Sequence, residues 1–128
     1  MRTILCVAAA AAIVALGSGV ALAQAPAKAG DSEKGKTLVD AKGMTLYIYD
    51  RDTAAGKSAC NGNCATNWPP LMAAAGAKDA GSWTVITRDD GGKQWAYKGK
   101  PLYFWKDDKK AGDATGDGRN NVWHIAAP

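Results

Sequence analysis

Two cysteines with three residues between them, Cys60 and Cys64 in Ser58-Ala59-Cys60-Asn61-Gly62-Asn63-Cys64, carry the most specific chemistry in the chain. Three uses fit such a pair: a disulfide staple, part of a soft-metal site, or a redox couple. Redox thiols usually sit as C-x-x-C at a helix N-terminus, which lowers their pKa, and this spacing differs. For metal, Cys60 and Cys64 would join His124 and either Met44 or Met72, a donor set suited to Cu(I). In an oxidising compartment the staple is the first expectation, with Gly62 and the flanking asparagines letting the backbone turn tightly.

Other polar motifs are weaker. Asp113, Thr115 and Asp117 with Gly118 resemble the start of a calcium loop, but His124 stands where a bidentate Glu is needed. Asp and Gly clusters also form plain Asx turns. Gly56-Lys57-Ser58 lacks the upstream glycine of a phosphate loop, because Arg51 occupies that place. His124 is the only histidine, and no G-x-S-x-G elbow accompanies it, so hydrolysis through a Ser-His-Asp plan is not expected. The chain reads as non-enzymatic.

The N-terminus assigns the compartment. Arg2 precedes an apolar run from Ile4 to Leu22 that ends in Ala21-Leu22-Ala23, the A-x-A pattern of a cleaved signal peptide over residues 1–23. Cleavage removes Cys6, leaves an even cysteine count, and leaves about 105 residues, enough for one small domain. No membrane-spanning segment is expected after cleavage. Residues 24–36, rich in Ala, Lys and Gly without apolar periodicity, read as a flexible lead into a domain at 37–128. The net charge of +4 is interspersed, as in Lys106-Asp107-Asp108-Lys109-Lys110, which argues against nucleic acid as a partner.

The elements that must hold these residues are short strands. Thr45–Tyr49, Ser82–Thr87, Gln94–Tyr97, Leu102–Trp105 and Val122–Ile125 are β-branched and aromatic, and Asp89-Asp90-Gly91-Gly92 is a hairpin turn. The pattern predicts a mainly β fold, a small antiparallel sheet or meander. Only residues 65–75 could hold a helix, a short turn near the cysteine pair limited by Pro69-Pro70. Gly43–Tyr49 reads against Gly99–Trp105 with Gly, Leu and Tyr matched, and Trp68 and Trp123 close the two stretches. This predicts two similar units in one domain. Alternation places Tyr47 with Tyr49, and Tyr103 with Trp105, opposite Leu46 with Ile48, and Leu102 with Phe104. A domain too small to bury both faces would expose the Tyr47, Tyr49, Tyr103, Trp105 face as a binding platform.

These residues resemble the secreted-repeat family of unknown function, exported proteins and lipoproteins marked by a Tyr-x4-Asp motif. Tyr47 to Asp52 carries the motif once and Tyr103 to Asp108 carries it again. Cys60-x-Gly62-x-Cys64-Ala65, Trp68-Pro69-Pro70-Leu71, Gly99-Lys100-Pro101-Leu102-Tyr103 and Val122-Trp123-His124 extend the resemblance over about residues 37 to 126. Many members carry a lipobox cysteine, which this chain lacks. The resemblance implies a β fold and export to the periplasm or beyond, with no activity attached. The expectation is an envelope protein that binds another envelope protein or a small ligand without a cofactor. The alternative is a copper or electron-transfer accessory.

Overall fold

A computed structural model describes residues 25–128. The signal-peptide expectation for residues 1–23 lies outside the described residues.

Among the described residues, seven short strands, one α-helical turn and a 3-10 turn at Arg119–Asn121 make up the fold. Strands β1 (Lys28–Ser32) and β2 (Gly35–Val39) pair as an antiparallel hairpin. This corrects the reading of residues 24–36 as a flexible lead. The side chains of β1 are mostly exposed, so the strand has no apolar pattern to betray it. Backbone pairing with β2, burial of Ala27 in the core, and a bond from Glu33 N–H to the Gly112 carbonyl hold it in place. The domain thus begins before residue 37.

Strand β3 (Tyr47–Tyr49) follows, then α1 (Asn63–Asn67), whose last turn stops before Pro69-Pro70 as expected. Strands β4 (Trp83–Thr87) and β5 (Lys93–Tyr97) form the predicted hairpin. Arg88 N–H donates to the Gly92 carbonyl, and Gly91 adopts φ 89°, which a side chain would resist. Strand β6 (Lys100–Pro101) pairs with β5. Strand β7 (Trp123–Ile125) returns across the molecule to pair with β3, so the sheets are antiparallel but do not form one simple meander. Leu102–Trp105 is not a continuous strand: its backbone bonds alternate between Tyr47, Trp95, Leu71 and Pro69, knitting the small sheets together.

The expected duplication is visible in the wiring. Tyr47 and Tyr103 exchange both backbone hydrogen bonds at 2.8 and 3.0 Å, joining the two units at their matching tyrosines. The same sequence offset sets hairpin β1–β2 against hairpin β4–β5. Alternation then builds a core on each side of this seam. Leu46 and Leu102 join Ala27, Leu38, Leu71, Trp83 and Ala126 on one side. Tyr47, Tyr103, Trp105, Trp68, Trp123 and Cys60 fill the other.

Candidate functional site

The Tyr-x4-Asp motifs close on each other and not on themselves. The Tyr47 hydroxyl donates to Asp108 at 2.6 Å, and the Tyr103 hydroxyl donates to Asp52 at 2.6 Å. Each carboxylate also gathers a following loop. Asp52 accepts from Ala59 N–H, and Asp108 accepts from the N–H and hydroxyl of Thr115, the residue matching Ala59 in the second unit. Burial pushes both phenols far above their usual range, with the adjacent carboxylates acting the same way. Desolvation also raises Asp52, against the pull of its hydrogen bonds to Tyr103 and Ala59.

Between the pairs runs a column of four rings. Trp68 and Trp123 stack at 3.8 Å and 4° in the middle. Trp105 lies 4.2 Å beyond Trp68, and Tyr49 lies 4.1 Å beyond Trp123. Tyr47 abuts Trp68 edge-on at 5.3 Å, and Tyr103 abuts Trp123 at 5.1 Å. Gly116 lies against the column: a Cβ there would meet Trp68 at 2.7 Å and Trp105 at 2.9 Å. The Arg119 guanidinium covers the outer face of Trp105 at 4.6 Å, with the Lys106 ammonium at 5.3 Å. The Trp105 indole N–H is buried without an acceptor among the described residues.

This arrangement corrects the exposed aromatic platform. Tyr47 and Tyr103 are 0% exposed, Trp105 is buried, and Tyr49 is half-buried. The second unit covers the aromatic face of the first, so both faces find a core.

Cys60 and Cys64 form a disulfide, with Cα atoms 5.1 Å apart. The loop it closes is pinned by a side chain that sequence reasoning missed. Arg88, at the turn end of β4, is buried and donates to Ser58 Oγ, the Gln94 amide oxygen and the Cys60 carbonyl. The Ser58 hydroxyl donates in turn to the Tyr103 oxygen at 2.6 Å, whose own proton is committed to Asp52. The signal was Gln94, a polar residue at an inward position of an alternating strand. Such a residue calls for a buried partner. Because the disulfide closes so short a loop, replacing both cysteines by Ala should cost about 2 kcal/mol in chemical denaturation. A loss above about 4 kcal/mol would mean that the Arg88 network collapses with it.

The remaining expected ligands lie apart from one another in role. Cys60 and Cys64, bonded together, present no thiolate to a soft metal. His124 on β7 bonds Asp50 at 2.8 Å, and Met44 is half-buried beside the Asp40 turn. Asp113 accepts from Lys109 and Lys110 N–H, and its bond to the Lys110 ammonium holds its carboxyl below the usual range. Thr115 serves Asp108, and Asp117 accepts from Ile125 N–H, so all three oxygen groups of the calcium-like stretch fasten their own loops. Among the described residues, no group of three His, Cys, Asp or Glu side chains gathers where a metal ion could sit.

Two open clefts border these cores. One, about 530 Å³, is lined by Trp83 and Trp95 with Ala25, Pro26, Ala77, Lys78, Asp79 and Ala80. The other, about 480 Å³, lies beside Tyr49, Asp50 and Asp52 and is flanked by Lys98 and Lys100. No helix among the described residues is long and apolar enough to cross a membrane.

No curated protein and no solved structure matches the chain. A family model described as a secreted repeat of unknown function matches residues 28–72 and again residues 84–127, taking in both hairpins and both halves of the crossed core. With its tyrosines and aspartates exchanged between two such units, this chain belongs to that family of secreted repeats.

Proposed function

We propose that the protein is a non-enzymatic binding domain of the cell envelope that takes a small, largely apolar, ring-bearing ligand in the cleft at Trp83 and Trp95. The observation that carries this reading is the cleft itself. Its two indoles meet edge-to-face at 6.2 Å and 84°, forming a corner in a cleft also lined by Pro26 and alanines. Its volume falls within the range of small-molecule sites, and its lining is mostly apolar, with Lys78 and Asp79 as its charged groups and the Asp79 carboxylate engaged by Val85 N–H. A ring seated in that corner meets one indole face and one indole edge, and the Lys78 ammonium suits a single anionic substituent.

The non-enzymatic reading is supported by how the serine beside the Tyr103–Asp52 pair is used. Ser58 is buried, and its hydroxyl is spent on Tyr103 and Arg88. Export is supported by the family, whose members are secreted. The periplasm or the space beyond it is the compartment we infer, from the signal-peptide pattern of residues 1–23.

The probe for the test is anilinonaphthalene sulfonate, which joins fused and single rings to one anionic group. It should bind saturably at one site. Trp95→Ala should weaken it about tenfold and Lys78→Ala by less, with circular dichroism unchanged. Unsaturable binding, or a Trp95→Ala variant that binds as well as the parent, would sink the reading.

A further inference from the structure

The aromatic column has a feature that core packing alone does not require. Each of its central indoles touches the edge of a tyrosine whose hydroxyl is hydrogen-bonded to a carboxylate at 2.6 Å. A phenol loses an electron readily only if its proton leaves in the same step, because the phenol radical cation is very acidic. A carboxylate already holding the hydrogen bond is the base that makes the concerted step accessible. Indoles in van der Waals contact exchange an electron vacancy quickly, since tunnelling falls off exponentially with separation.

We propose that this protein is a sink for oxidising equivalents, its ring column passing an electron vacancy from a one-electron oxidant to Tyr103 or Tyr47. The oxidant is of the class of carbonate or peroxyl radicals. It takes one electron from Trp123 across the stacked, half-buried Tyr49 ring, which borders the cleft beside Asp50 and Asp52. The vacancy moves between Trp123, which Tyr103 abuts, and Trp68, which Tyr47 abuts. Tyr103 then gives up an electron to the column while its O–H bond breaks and the proton joins Asp52. Written whole, the oxidant radical, the phenol and the carboxylate become the reduced oxidant anion, a neutral phenoxyl and a carboxylic acid. One electron and one proton are accounted for, and charge is conserved. Tyr47 and Asp108 perform the same step from Trp68.

Three details give the column a direction. The cations of Arg119 and Lys106 over Trp105 make that ring the hardest to oxidise, which turns the vacancy away from that end. The Trp105 N–H has no acceptor among the described residues, so a vacancy there cannot be fixed by proton loss and moves on. Asp52 is desolvated, so accepting a proton relieves the burial of its charge.

The test is laser flash photolysis of the native protein with a ruthenium polypyridyl sensitiser and a sacrificial electron acceptor, followed by transient absorption and electron paramagnetic resonance. The expected result is a short-lived tryptophan radical that converts to a hydrogen-bonded tyrosyl, more slowly in deuterated water. Asp52→Asn with Asp108→Asn keeps an oxygen acceptor for each phenol but removes the base. It should slow the conversion about a hundredfold while the tryptophan radical still forms. If that double variant fails to fold, each single variant should lose its own share of the tyrosyl signal, and the isotope effect on the parent stands alone as evidence. A parent that yields no tyrosyl, or conversion unaffected by both deuterium and the Asn substitutions, would overturn the proposal.

Discussion

Between about pH 10 and pH 12 the rate at which the protein loses stability should steepen to about 2.7 kcal/mol per pH unit, a steeper alkaline limb than its surface charges would produce. The cause is the pair of buried phenols. In the unfolded chain Tyr47 and Tyr103 ionise near the usual value of about 10. In the native protein burial, and then the hydrogen-bonded carboxylates Asp108 and Asp52, hold them neutral well above that. A group whose native value is raised contributes its full stability below its unfolded value and loses it as the pH climbs towards the native one. Each phenol therefore contributes a slope of about 1.4 kcal/mol per pH unit. Denaturant unfolding across this range, in the parent and in Tyr47→Phe and Tyr103→Phe, measures the effect. Each variant should lose half of the excess slope, whatever its stability at neutral pH. Two of the four tyrosines should show phenolate absorbance only as the fold is lost. All four titrating near pH 10 in an intact fold would refute the account.

The crossing of these pairs was not legible in the sequence, although every residue in them was. Tyr47, Asp52, Tyr103 and Asp108 were named as a repeated motif, and a repeat by itself does not say whether a tyrosine meets its own aspartate or its neighbour's. The deciding contact is the backbone bridge between Tyr47 and Tyr103, a long-range pairing with no local signature. The same bridge explains why the exposed platform was wrong. Alternation correctly placed Leu46 and Leu102 on one face and Tyr47 and Tyr103 on the other. The expectation that one face must stay open treated the faces as competing for a single core. Two copies packed across a seam bury both.

Hairpin β1–β2 and Arg88 were missed for opposite reasons. An edge strand stabilised by its backbone can carry any exposed side chains, so Lys28–Ser32 offered no pattern to read. Arg88 stands beside the charged turn residues Asp89 and Asp90 with no apolar signal of its own, yet it is buried and hydrogen-bonded to Ser58, Gln94 and the Cys60 carbonyl. Its burial depends on the disulfide loop arriving from another part of the chain. The disulfide itself was legible, because compartment and cysteine count are local facts.

Trp68→Ala should be the most damaging single substitution in the core. The ring is 5% exposed, stacks on Trp123 and Trp105, and meets Tyr47 edge-on. Truncation removes about 3–5 kcal/mol for the cavity, and each lost aromatic contact adds about 0.5–1.5 kcal/mol, against a typical total of 5–15 kcal/mol for a domain. Helix α1 buries none of its own residues, so the segment from Cys64 to Pro70 would be left with the disulfide and the backbone bonds from Phe104 N–H to the Pro69 carbonyl and from Lys106 N–H to the Asn67 carbonyl. A double-mutant cycle isolates the ring's part. Gly116→Ala alone should cost about 1–3 kcal/mol, because its methyl group would press on Trp68 and Trp105. In the Trp68→Ala background the nearest of those clashes is gone and the methyl group enters the vacated space. The pair should then cost at least about 1 kcal/mol less than the sum of the singles. Strict additivity would mean that the backbone at Gly116, and not the indole, sets the packing.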